Sequence, residues 1–256
     1  MSKIQNAFKN GKAFIGFLTA GDPSIEKTEE FILEMVKAGT DLIEIGIPFS
    51  DPIAEGSVIQ SANVRALSAG TTTDKIFSMV KSLRTKTNVP IVFLTYLNPV
   101  FKYGYENFFN YCNQVGIDGI IIPDMPFEEK SECYIIAQNN NVDIISMIAP
   151  TSEQRIKEIA ANAVGYIYVV SSLGVTGMRS EIKTDLNSIL KSVKSASSVP
   201  VAVGFGINTI EQAKEISKIS DGIIVGSAIV KIIEKHGNQA GKYIYEYTKS
   251  MKQAIL

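Results

Sequence analysis

Short apolar runs rich in Ile and Val recur along the chain, separated by longer stretches in which apolar residues return every three or four positions. Runs of the first kind read as strands buried on both faces, and stretches of the second as amphipathic helices laid over them. Eight runs stand out, at 13–19, 41–46, 90–96, 118–122, 142–148, 165–170, 199–204 and 221–225. Nearly every one is followed by Gly, Pro, Asp or Ser and then by a helical stretch; in 24–38, Ser24 and Lys27 stand at cap-like positions. Eight β-α repeats with right-handed crossovers close on themselves, whereas a doubly wound open sheet normally uses five or six strands. The pattern predicts an α/β fold, a (βα)8 TIM barrel spanning 1–256 as one domain, with an extra N-terminal helix. Residues 47–89 are too many for one crossover helix and its loops, so an elaborated loop and an additional helix are expected after the second strand. Val-Pro at 89–90 and 199–200, followed each time by Asp-Gly-Ile-Ile at 118–121 and 221–224, hints at similarity between the two halves.

The length of 256 residues suits this reading, since about 250 is typical of such a barrel. With 45% hydrophobic and 20% charged residues the chain can bury a sizeable core, which excludes a disordered scaffold. Lys and Arg (25) nearly balance Asp and Glu (26) and are spread along the chain, so neither a nucleic-acid backbone nor an anionic membrane is an expected partner. No apolar run nears the roughly 18 residues of a membrane span, and the stretch 13–20 leads into Gly21-Asp22-Pro23 rather than a cleavage site; a cytoplasmic location is expected. Cys112 and Cys133 lack metal-ligand spacing and read as reduced structural thiols.

Active sites of such barrels lie at the C-terminal ends of the strands, with phosphate often held after strands seven and eight. Three glycine signals fall there: Gly174-Val175-Thr176-Gly177 after the sixth run, Gly204-Phe205-Gly206 after the seventh, and Gly226-Ser227-Ala228 opening a helix after the eighth. Glycine lets backbone approach an anion closely and a helix N-terminus adds partial positive charge, so together they predict a phosphate monoester or similar dianion. Glu44 lies inside the apolar second run, sharing a face with Leu42 and Gly46, so its carboxylate is expected to point into the barrel. No Lys or Arg occurs within the eight runs to pair with it, which favours catalysis over a structural ion pair. Glu55 lies in the loop that follows, where a solvated carboxylate is the plain reading. Tyr166 and Tyr168 are read as alternating, one inward and one outward, with Tyr168 a candidate to sit beside Glu44. No Lys ends a strand, the one histidine lies in a Lys-rich late segment, and no dense His or carboxylate set occurs, so neither Schiff-base chemistry nor a catalytic metal is expected. Carboxylates and hydroxyls are left to move the proton.

The segment Glu44-Ile45-Gly46-Ile47-Pro48-Phe49-Ser50-Asp51-Pro52 with Glu55-Gly56, the loop 174–177, Gly204-Phe205-Gly206-Ile207 and Gly226-Ser227-Ala228-Ile229-Val230 closely resemble tryptophan synthase alpha chains, in the right order from Phe17 to Ile233. The resemblance implies retro-aldol cleavage of indole-3-glycerol phosphate to indole and glyceraldehyde 3-phosphate, with no cofactor. It assigns Glu44 as acid and then base, Glu55 as the carboxylate that meets the indole N–H, Tyr168 beside Glu44, and Thr176 as the residue orienting Glu55. Position 55 departs from the family, which more often has Asp there followed by Gly-Pro, where this chain has Gly56-Ser57. The indole cavity would comprise Phe17, Ile59, Leu94, Tyr96, Ile121 and Phe205, and the phosphate ligands Gly177, Gly206, Gly226 and Ser227. The resemblance also implies a pyridoxal-phosphate-dependent beta subunit as partner in an alpha2beta2 complex, docked on 48–56, 98–104 and 124–127. Another phosphate-binding barrel enzyme would bring a Lys or metal ligands to the strand ends; a non-catalytic activating subunit is the alternative of a different class.

Overall fold

The computed structural model describes residues 3–170, 182–204 and 206–256. Among the described residues nine strands form one sheet: β1 (Ala13–Thr19), β2 (Leu42–Gly46), β3 (Ile91–Leu94), β4 (Gly119–Ile121), β5 (Asp143–Ile144), β6 (Ser146–Ile148), β7 (Ile167–Val170), β8 (Val201–Gly204) and β9 (Gly222–Val225). They run in the order β5-β4-β3-β2-β1-β9-β8-β7-β6, every pair parallel. The two ends of that order are neighbours in the chain. The fifth apolar run is split at Ile145: its first half pairs with β4 and its second with β7, and the Ile145 N–H reaches Ile120 O at 2.9 Å across the break. The sheet is therefore a closed (βα)8 barrel whose fifth strand is counted as two.

Closure gives each strand an inner and an outer face, and the period of two sorts the side chains. Ala13, Ile15, Leu42, Val92, Ile121, Ile145, Tyr166, Tyr168, Val170, Ala202 and Ile224 form one buried cluster in the lumen. Their neighbours, such as Phe14, Ile43, Ile45, Ile91 and Phe93, pack outward under the helices. The N-terminal helix is a short 3-10 helix, Lys3–Phe8, whose Ile4 and Ala7 join the lumen cluster and stop the lower end of the barrel. Ser24 caps the helix Ile25–Lys37 as its spacing predicts, accepting the Lys27 N–H at 3.2 Å.

Between β2 and β3 the chain makes two helices, Ser57–Ser68 and Thr73–Leu83, which accounts for the excess length there. The acidic residues before the strands also have a structural use. Asp41, Asp118 and Asp221 each accept a backbone N–H from an adjacent strand segment, of Phe14 at 2.7 Å, Ile91 at 2.9 Å and Val201 at 3.0 Å. The repeated Asp-Gly-Ile-Ile segments thus perform the same task in both halves, tying strand starts together at the face opposite the site.

Ile4 is fully buried, with its Cδ1 close under Gly119 and Gly165. Ile4→Ala is expected to lower the unfolding free energy by about 2–5 kcal/mol, the usual cost of such a cavity, measured by urea denaturation. An unchanged midpoint would show that the N-terminal turn is not part of the core.

Candidate active site

Glu44 sits in the middle of β2, in register with Phe17 of β1 and Val92 of β3, and only 1% of it is exposed. Its Oε1 accepts the Tyr166 hydroxyl proton at 2.5 Å. Burial raises its pKa from the ordinary 4.5 to about 7, against the pull of the Tyr166 hydrogen bond, which favours the ionised form. No Lys, Arg or His among the described residues pairs with it.

Tyr166 and Tyr168 do not alternate between faces. Both are buried in the lumen, because residues two apart on a strand share a side, and the expectation of one inward and one outward is corrected accordingly. The hydrogen bond to Glu44 comes from Tyr166. Tyr168 is close enough that the Glu44 charge, after burial, helps to raise its pKa. Gly204 makes room for it: a Cβ there would collide with the Tyr168 hydroxyl and ring, while one on Gly46 would come within 2.8 Å of the Phe17 ring. Two strand-end glycines thus let aromatic rings turn into the top of the lumen.

Glu55 lies partly buried in the loop after β2. Its Oε2 accepts from Asn63 Nδ2 at 2.7 Å, and its backbone carbonyl from Gln60 Nε2 at 2.8 Å, both from the helix Ser57–Ser68. Burial raises its pKa, with hydrogen bonds from Asn63 and Tyr96 opposing. The Tyr96 hydroxyl in turn accepts the Ala54 N–H at 3.0 Å, and the Phe49 ring stands 5.4 Å from the Tyr96 ring. The longer side chain at this position is accommodated by turning back onto the helix.

Phe17, Ile59 and Leu94 come together with Ala62 and Val230 in one apolar cluster above the lumen set, and Leu94 also touches that set, to which Ile121 belongs. Tyr96 is buried between this cluster's strand and the 48–56 loop. Arg65 holds the Ile59 helix in place, donating to both Asp22 oxygens at 2.9 and 2.8 Å and to Glu234 at 3.2 Å. Glu234 belongs to the helix Ser227–His236, so the apolar wall and that helix are fixed to each other.

The helix Ser227–His236 begins at Gly226 with no side-chain cap, and Ser227 is exposed. The helix Ile210–Ser217, by contrast, satisfies its own start with a Thr209–Gln212 capping box. Uncapped first-turn N–H groups at the strand-end rim suit an anion. Gly206, with φ of 78°, adopts the left-handed backbone that favours glycine, and a Cβ there would meet nothing within 4 Å among the described residues. Thr176, Gly177 and Phe205 lie outside the described residues.

Sequence reasoning missed Tyr166 and Asn63. Tyr166 was recoverable from the shared face of positions 166 and 168. Asn63 stands eight residues from Glu55, on a helix whose orientation no periodicity reveals.

The family model for the tryptophan synthase alpha chain matches residues 4–255. The tryptophan synthase alpha chain of Lacticaseibacillus casei is 47% identical over 255 residues, covering 100% of this chain and 96% of that one. A crystal structure of the alpha chain from Legionella pneumophila superposes with a TM-score of 0.89 at 34% identity, over 100% of this chain and 97% of that one. A chain from a structure of the Pyrococcus furiosus tryptophan synthase a2b2 complex, described by its mutual activation, matches at 36% identity with a TM-score of 0.87, covering 95% of this chain and 99% of that one.

The raised pKa of Glu44 makes stability depend on pH. The folded state holds the proton more tightly than the unfolded chain, so the contribution is fully present below about pH 4.5 and is lost as pH rises through about 7. Relative to Glu44→Gln, the wild-type chain is expected to lose about 3 kcal/mol across that window, measured by urea unfolding at successive pH values. Parallel pH profiles for the two proteins would show that Glu44 titrates normally.

Proposed function

We propose that this chain, which belongs to the tryptophan synthase alpha chain family and is a lyase that cleaves indole-3-glycerol phosphate to indole and glyceraldehyde 3-phosphate, uses Glu44 as the group that first gives and then takes the proton. The observation that carries this reading is the Glu44 carboxyl, buried in the lumen with no cation beside it among the described residues and hydrogen-bonded to Tyr166 at 2.5 Å, where burial raises its pKa to about 7. Such a group is populated in both forms near neutrality, which is what a shuttle needs.

In this reading the protonated Glu44 delivers its proton to the indole carbon that carries the glycerol chain, leaving a positively charged ring. The resulting carboxylate then removes the proton of the adjacent hydroxyl. The O–H pair becomes the new carbonyl, the carbon–carbon bond breaks, and its electrons return to the ring, neutralising it. Glu44 ends protonated as it began. Glu55 faces the ring N–H and stabilises the charge that builds up there. Asn63 and Tyr96 position it, and Tyr168 borders Glu44. Phe17, Ile59, Leu94, Tyr96 and Ile121 enclose the ring, with Phe205 carried over from the family pattern. The phosphate is received by backbone N–H groups at Gly206, Gly226 and Ser227, together with Gly177; Thr176 orients Glu55 when substrate is bound.

The partner in this proposal is a tryptophan synthase beta subunit in an alpha2beta2 assembly, such as the Pyrococcus furiosus complex named above. Loop 48–56 and segments 98–104 and 124–127 form the docking rim. Ile53 is 78% and Phe101 66% exposed there, and the N–H of Leu97, the residue before 98–104, bonds to Asp124 at 2.9 Å. No helix among the described residues is long and apolar enough to cross a membrane, and the proposed location is the cytoplasm.

Glu44→Gln is expected to abolish indole release, leaving less than a few per cent, while substrate still binds; greater residual activity removes Glu44 from the role. Because the acid form starts the reaction, kcat/KM should fall as pH rises through about 7. Tyr166→Phe removes a bond that favours the ionised form, so the fall should move to higher pH; movement to lower pH contradicts the assignment. Titration with purified beta subunit should raise the rate well above that of the chain alone. Measurable binding with no rate change would mean that Glu55, already held by Asn63, needs no further ordering.

A further inference from the structure

Tyr247 takes no part in the lyase chemistry, yet its hydroxyl reaches from the last helix, Gly241–Ala254, to the strand-end rim, donating to the backbone carbonyl of Asn208 at 3.1 Å. Ile244, Thr248 and Met251 anchor that helix in the core. Tyr247 packs partly buried against the same core, and burial pushes its phenol up to about 12, so it stays a hydroxyl donor at neutral pH.

Asn208 follows β8 and stands two residues beyond Gly206. Its N–H donates to Gln212 Oε1 at 2.9 Å, and Gln212 belongs to the helix Ile210–Ser217. Two helices therefore hold Asn208, one by its N–H and one by its carbonyl. Its side chain then acts on Gly206, Nδ2 donating to the Gly206 carbonyl at 3.3 Å. A glycine with left-handed φ leaves the peptide beside it free to turn, and a carbonyl turned toward an anion would repel it. With Gly206 O held by Asn208, that peptide keeps one orientation.

Resting on the reading that the Gly206 backbone receives the substrate phosphate, we propose that Tyr247 is a positioning residue for the phosphate site, acting through Asn208 to hold the Gly206 peptide ready for a phosphate monoester. The N–H groups at Gly226 and Ser227 open a different helix, so loss of the hydroxyl weakens the site without abolishing it. The phosphate takes no part in bond breaking, so the loss falls equally on bound substrate and transition state, raising KM and sparing kcat.

The test titrates inorganic phosphate into the isotope-labelled full chain, followed by amide NMR, for the wild type, Tyr247→Phe, Asn208→Ala and the double variant, with KM and kcat taken from indole release. Phosphate should bind the wild type saturably and shift resonances in 206–208 and 226–228. Tyr247→Phe should raise both the phosphate Kd and the KM about two- to tenfold, the range one neutral hydrogen bond supports, and leave kcat within about twofold. Asn208→Ala should do the same, and Tyr247→Phe should add nothing in that background, because the path to Gly206 is already cut. Unchanged phosphate affinity in Tyr247→Phe overturns the proposal, as do a kcat that falls while phosphate affinity holds and additive effects of the two substitutions. Wild-type phosphate shifts that lie elsewhere strike the phosphate assignment itself and this proposal with it, whereas phosphate bound at 206–208 and 226–228 with equal affinity in the variant removes only the role of Tyr247.

Discussion

One carboxylate buried in a closed apolar lumen is the constraint on which the rest of the site depends. Moving a charge out of water is costly, and a protein ordinarily avoids the cost with a partner cation or a shifted pKa. Here the lumen around Glu44 supplies a hydroxyl from Tyr166 and no cation among the described residues, so the shift is what remains. The barrel makes that environment possible: the sheet closes through Ile145, the N-terminal turn plugs one end, and glycines at the other admit Phe17 and Tyr168 around the acid. A Lys or Arg in the lumen would stabilise the carboxylate and hold it ionised at neutrality, removing the acid form.

The second carboxylate is tuned differently. Glu55 sits at the rim rather than within the sheet, and the amide of Asn63 and the hydroxyl of Tyr96 oppose, without cancelling, the upward push of its partial burial. Two carboxyls placed in unlike surroundings can take unlike roles, one exchanging a proton and one remaining a charge partner. The helix Ser57–Ser68 integrates these parts. It carries Ile59 in the apolar wall, Asn63 on Glu55, and Arg65, which ties the helix to Asp22 and to the helix that starts at Ser227. The additional length after β2 therefore builds the site rather than decorating the barrel.

Much of this was legible in the chain. Strand runs buried on both faces mark a parallel sheet, the surplus of residues at 47–89 marks inserted helices, and period two places Glu44 inward. The split at Ile145 was not legible, because one uninterrupted apolar run serves both halves and only the pairing partners change. The tyrosine pair was misread although its information is local: two residues apart means one face, so Tyr166 belongs with Tyr168. Asn63 and Arg65 escaped for a different reason. A polar residue on an amphipathic helix looks the same whether it meets water or a carboxylate from a distant loop, and only the packing of that helix against β1 and its neighbours distinguishes the two. The roles of the residues themselves came from the family pattern rather than from spacing.

The central claim is that burial holds the Glu44 carboxyl near neutrality. Carbon-13 NMR of the full chain, with the Glu44 signal identified by its loss in Glu44→Gln, reads that carboxyl directly as pH is raised. The account predicts a midpoint of about 7. A midpoint near the ordinary 4.5 would contradict it, since the acid form would then be scarce at neutral pH and another group would have to supply the proton.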